Sequence, residues 1–81
     1  GYSYDGKTVI LFEIRPEWEN PKKMQQIDFA KIRHYKSKKK WNLFWMRASG
    51  KWKLYEPFPE STHLGEIIEI IKKDTHACFY G

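Results

Sequence analysis

Two β-prone runs, Trp41–Ala48 and Lys51–Glu56, flank Ser49-Gly50, and this pairing constrains the fold more than any other stretch. A two-residue turn at Ser49-Gly50 makes them a hairpin and sets its register. Ala48 then faces Lys51, Arg47 faces Trp52, Met46 faces Lys53, Trp45 faces Leu54 and Phe44 faces Tyr55. Directly opposed residues share a face of the sheet. Leu43, Trp45, Trp52 and Leu54 are therefore expected to point into a core. Phe44, Met46, Lys51, Lys53 and Tyr55 are expected on the opposite side.

Thr8–Arg15 and Ile27–Tyr35 read as two further strands, since both are rich in β-branched and aromatic residues. Pro16 ends the first, and Glu17–Gln26 with Pro21 reads as a polar loop. In the second, Ala30 and Ile32 alternate with Phe29, Lys31, Arg33 and Tyr35, so the latter four join the face of Phe44 and Tyr55. Lys36, Lys38, Lys39 and Lys40 form the tip leading into the third strand, where their charges oppose edge-to-edge aggregation. After Pro57 and Pro59 the period changes. Leu64, Ile67, Ile68 and Ile71 recur at helical spacing, with Ser61 or Thr62 placed to cap the helix. Gly65 inside this helix is unfavourable unless a close contact with the sheet requires it. Ala77–Tyr80 is compatible with a short tail strand. The expected fold is α+β: an antiparallel sheet of four to five strands with one C-terminal helix packed on one face. At 81 residues the chain is a single domain over residues 1–81.

Charge is segregated along this framework. Phe29–Tyr55 contains nine Lys or Arg, no Asp or Glu, and seven aromatic rings, a formal +9 against −4 for the rest of the chain. Aromatics at 17% argue against disorder. No apolar run is long enough for a membrane span. One cysteine, Cys78, allows no internal disulfide, and a cytoplasmic location is expected.

Val9–Pro16 (VILFEIRP), Trp41–Arg47 (WNLFWMR), Lys51–Pro57 (KWKLYEP) and Cys78–Gly81 (CFYG) follow one another in a specific order and spacing. In these words the sequence resembles a small bacterial family of domains of unknown function (domain of unknown function 3024). The resemblance spans about Val9 to Gly81. It implies a helical segment ahead of the first strand in longer relatives, so this chain is expected to be a trimmed or short form. It implies no activity, cofactor or ligand residues.

The residues themselves point away from catalysis. Asp74, His76 and Cys78 fall close together, and a Cys–His pair is able to serve as a nucleophile or as two metal ligands. No third or fourth ligand has zinc-site spacing, however, and neither a glycine-rich phosphate loop nor a convergent carboxylate pair is present. Glu13 and Glu56 lie on or near different strands with nothing to join them. We expect no enzyme, cofactor, metal or small-molecule substrate. The expected function is binding or self-association through a face made of Phe29, Lys31, Arg33, Tyr35, Phe44, Met46, Lys51, Lys53 and Tyr55. A homo-oligomer, such as a dimer, or a protein partner is expected there. The alternative is single-stranded nucleic acid, with rings for bases and cations for phosphates.

Overall fold

The β-branched and aromatic runs of the first half of the chain form its two longest strands. The computed structural model describes residues 1–75 and 78–79. Its elements are β1 (Tyr2–Tyr4), β2 (Thr8–Pro16), β3 (Met24–Tyr35), β4 (Lys40–Met46), β5 (Trp52–Leu54), β6 (Glu60–Ser61) and α1 (Leu64–Lys73). The strands form one antiparallel sheet in the order β1-β2-β3-β4-β5, with β6 pairing β4 beside the end of β5. The α+β architecture with one C-terminal helix is as the sequence implies. The four strands expected before the helix are present, and β1 and β6 add to them.

The helix lies over one side of the sheet. Its stripe behaves as the spacing requires: Ile67 and Ile71 are fully buried, and Leu64 and Ile68 pack at the margin. Beneath them sit Ala30, Ile32, Leu43 and Tyr55, joined by Phe79 from the C-terminal segment. Burying each such side chain contributes roughly 1.5–3 kcal/mol. Glu66 in the first turn and Lys72 and Lys73 in the last complement the helix dipole.

Three local details differ from expectation. The residue before the helix is His63, with no side-chain cap. Ser61 acts one step earlier: its hydroxyl accepts the His63 N–H at 3.0 Å and donates to Glu66 at 2.8 Å. Gly65 is exposed, and a Cβ there would meet nothing within 4 Å among the described residues, so no close contact with the described sheet explains it. The tail strand proposed for residues 77–80 falls partly outside the described residues, and Cys78 and Phe79 form a bend.

The consequential difference is register. β4 and β5 pair as Phe44↔Leu54, Trp45↔Lys53 and Met46↔Trp52, one residue away from the expected alignment. The turn holds three residues, Ala48, Ser49 and Gly50, closed by Gly50 N–H to Arg47 O at 2.9 Å and Arg47 N–H to Lys51 O at 3.0 Å. Gly50 takes φ +82°, the left-handed conformation that three-residue hairpins place at this position. A one-residue slip turns every side chain of a strand over. Tyr55 therefore enters the core at 2% exposure, and Trp52 and Leu54 leave it.

A second irregularity moves Phe29. The β2–β3 ladder runs Leu11↔Ala30 and then Phe12↔Asp28, so the register steps past Phe29, whose ring packs against the core. An extra residue of this kind re-aims a side chain.

Candidate binding face

Strand alternation and register build the side of the sheet turned away from α1. One row crosses four strands as Ile10, Lys31, Phe44 and Leu54. Thr8, Arg33 and Asn42 form the row on one side, and Met46 beside Trp52 the row on the other. Val9, Leu11, Ile32 and Leu43 alternate with these residues and point the other way, to the helix.

Lys31 stands at the centre of this face. Its ammonium lies 4.9 Å from the ring centroid of Phe44 and 5.7 Å from that of Trp52. One cation over two aromatic faces is an attractive arrangement, about 0.5–1 kcal/mol at an exposed site. The lysine stem also covers apolar surface that would otherwise meet water. Further along β3, the Arg33 guanidinium lies 5.2 Å from the ring centroid of Tyr35. Phe44, Met46 and Trp52 are half-buried by these neighbours, while Leu54 is 37% exposed.

Five of the nine expected face residues are therefore brought together: Lys31, Arg33, Tyr35, Phe44 and Met46. Four are not. Phe29 packs on the core, and Tyr55 lies within it. Lys53 opposes Trp45 and so belongs to the helix side, where its Nζ lies 3.9 Å from Glu56. Lys51 is exposed at the hairpin turn, outside the paired residues of β5. Trp52 and Leu54, expected in the core, take their places. The signal was present in Ala48-Ser49-Gly50. Reading Gly50 as the left-handed third residue of the loop yields the correct register.

At the hairpin tip Lys36, Lys38 and Lys39 are exposed, and Lys39 adopts φ +52°. Lys40 belongs to β4, and its Nζ sits 3.3 Å from Glu60. The tip thus carries three exposed cations and one, Lys40, paired with Glu60.

The Cys78 region has a different character. Burial pushes the Cys78 thiol above its ordinary value, and the Asp74 carboxylate adds to that. A nucleophilic cysteine needs the opposite shift. Asp74 closes the helix in a left-handed conformation, and its Oδ1 accepts the Phe79 N–H at 3.0 Å. His76 lies outside the described residues. Among the described residues no group of three or more His, Cys, Asp or Glu side chains is placed to hold a metal ion. Glu13 pairs with Arg15, as Glu56 does with Lys53. No helix among the described residues is long and apolar enough to cross a membrane.

Fold and face together define a small α+β domain, one side of its sheet closed by a helix and the other left open with cations laid over rings. The chain belongs to the family described as Domain of unknown function (DUF3024), whose model matches residues 1–81. No curated protein and no solved structure matches the chain.

Proposed function

We propose that the chain is a non-catalytic binding module whose open sheet face docks an acidic surface of another protein. The observation that carries this reading is Lys31 laid over Phe44 and Trp52, with Met46 and Leu54 adjoining. Trp, Phe, Met and Arg are enriched at protein interfaces, and a central aromatic cluster is the usual anchor. A second copy suits this face poorly. Two such faces in contact would set Lys31 and Arg33 against their own counterparts, and like charges so placed are costly. A partner carrying carboxylates among apolar side chains supplies the complementary pattern.

The test is a titration with acidic peptides that alternate Glu with Leu or Phe, read by anisotropy at physiological salt. Binding is expected, and Phe44→Asp is expected to abolish it while the thermal melt stays cooperative. Peptide binding that is indifferent to Phe44→Asp would overturn the assignment.

Nucleic acid is the second reading, favoured by the run of nine basic residues without an acid. Lys31 already occupies the faces on which bases would stack. Binding of a single-stranded oligonucleotide that persists at 100 mM salt (about the ionic strength at which charges are screened beyond ~10 Å) and is lost in Lys31→Glu supports it. No binding at that salt rules it out.

A further inference from the structure

The first strand forms one edge of the sheet, and its outward side has no neighbouring strand among the described residues. Gly1 and Phe12 exchange both backbone hydrogen bonds, N–H to O at 2.9 Å and at 3.0 Å. Antiparallel ladders alternate, so Ser3 bonds inward to Ile10, and Tyr2 and Tyr4 direct their N–H and C=O groups away from β2. Tyr2 and Tyr4 oppose Leu11 and Val9 and so send their side chains to the helix side. There they border an apolar groove of about 510 Å³, completed by Val9, Leu11, Trp41, Leu64 and Ile68. Tyr2 is 71% and Tyr4 58% exposed.

Edges of this kind are normally guarded by charge, proline or a bulge. The opposite edge is guarded: Lys51 and Lys53 flank Trp52, and Pro57 and Pro59 follow. Tyr2-Ser3-Tyr4 carries no charge and no proline, and Asp5 and Lys7 beyond it offset one another. On a chain of net charge +5, this neutral edge lets two copies meet without setting cation against cation.

We propose that β1 is a dimerisation edge, pairing antiparallel with β1 of a second copy about a two-fold axis at Ser3. The register is self-complementary. Tyr2 of one copy opposes Tyr4 of the other, and both such pairs fall where backbone groups point outward, giving four ladder hydrogen bonds. The two pairs place four tyrosine rings on the helix side, where they join the two grooves into one covered cavity. An extended strand satisfies the free polar groups of β1, and apolar side chains at alternate positions fill the groove, as strand addition requires. A two-fold contact uses the same surface on both copies and closes on itself.

Sedimentation equilibrium over a wide concentration range tests this. The mass is expected to rise from 9.8 kDa toward twice that value. Tyr4→Pro removes an outward N–H without touching the Ser3–Ile10 bonds. It is expected to weaken association by at least about tenfold, because two of the four hydrogen bonds are lost. The double variant Tyr2→Lys/Tyr4→Lys, which leaves the backbone donors intact, is expected to be monomeric with unchanged far-UV circular dichroism. Phe44→Asp is expected to dimerise normally, which separates this edge from the open face. A monomeric mass at every concentration overturns the proposal, including the case in which β1 amides are protected by some other bound strand. Loss of the dimer in Phe44→Asp but not in the β1 variants overturns it too.

Discussion

The helix side and the open side of this sheet are built from the same residue types in different partnerships. Under α1, Ile32, Leu43 and Tyr55 meet Ile67 and Ile71, and water is excluded from all five. On the open side, Phe44 and Trp52 meet the stem and charge of Lys31 and remain half-exposed. Apolar contact on the first side holds the fold together. On the second, a lysine covers rings without sealing them. The difference lies in whether the covering element is a fixed helix or a flexible side chain with three rotatable donors.

Core truncation is the most demanding test of that contrast. Ile67→Ala is expected to cost about 2–5 kcal/mol in chemical denaturation, because it leaves a cavity under the helix. Trp52→Ala, although it removes a larger side chain, is expected to cost only about 1 kcal/mol. Equal losses in the two variants would break the distinction between the faces.

Alkaline pH probes the closed side next. Burial raises the Tyr55 phenol above its ordinary value, with smaller contributions from Cys78 and Asp74, and burial also raises the Cys78 thiol. Both groups hold their protons to higher pH in the folded state than in the unfolded chain. The stability this confers is complete below the unfolded thiol value of about 9.0 and is lost as pH rises through the raised values. Melting temperature should fall across that window, and Tyr55→Phe should flatten the part of the decline above the ordinary phenol value of 10.0. An unchanged alkaline slope in that variant would remove Tyr55 from the titrating core.

Lys31→Ala sharpens the account of the open side. Losing one cation over two rings is expected to reduce stability by about 0.5–1 kcal/mol and to increase quenching of tryptophan fluorescence by acrylamide, a neutral quencher that the lost charge neither attracts nor repels. No change in quenching would mean that the lysine does not cover Trp52. The smallest effect is expected at the helix start. Gly65→Ala should stabilise by up to about 1 kcal/mol, since the added methyl meets nothing within 4 Å among the described residues and the unfolded chain loses freedom. A destabilised Gly65→Ala would reveal a contact at this turn that the structure lacks.

Legibility in the sequence followed the range of the forces involved. Leu64, Ile67, Ile68 and Ile71 announced the buried stripe of α1 because helical spacing is local. β4 was also legible: Leu43 and Trp45 turn inward, and Phe44 and Met46 outward, as alternation requires. β5 was not, because its orientation depends on the number of residues in one turn, and Ser49-Gly50 fits a two-residue loop as readily as Ala48-Ser49-Gly50 fits a three-residue one. β1 had a readable mark in Asp5-Gly6, a turn dipeptide between Tyr2-Ser3-Tyr4 and the β-prone Thr8-Val9. The structure places Gly6 at φ +98° there, with Asp5 Oδ1 accepting the N–H groups of Lys7 and Thr8.

By itself, the sequence determined an α+β fold, a basic and aromatic central block, and a helix with one apolar stripe, because composition and periodicity are properties of neighbouring residues. Which way the rings of Phe29, Trp52 and Tyr55 face was decided by tertiary structure. The Phe29 bulge inserts one residue into the β2–β3 ladder, the Ala48–Gly50 loop is one residue longer than a two-residue turn, and a shift of one residue in a period-two structure exchanges inside for outside. That exchange put Tyr55 in the core and Trp52 beside Lys31.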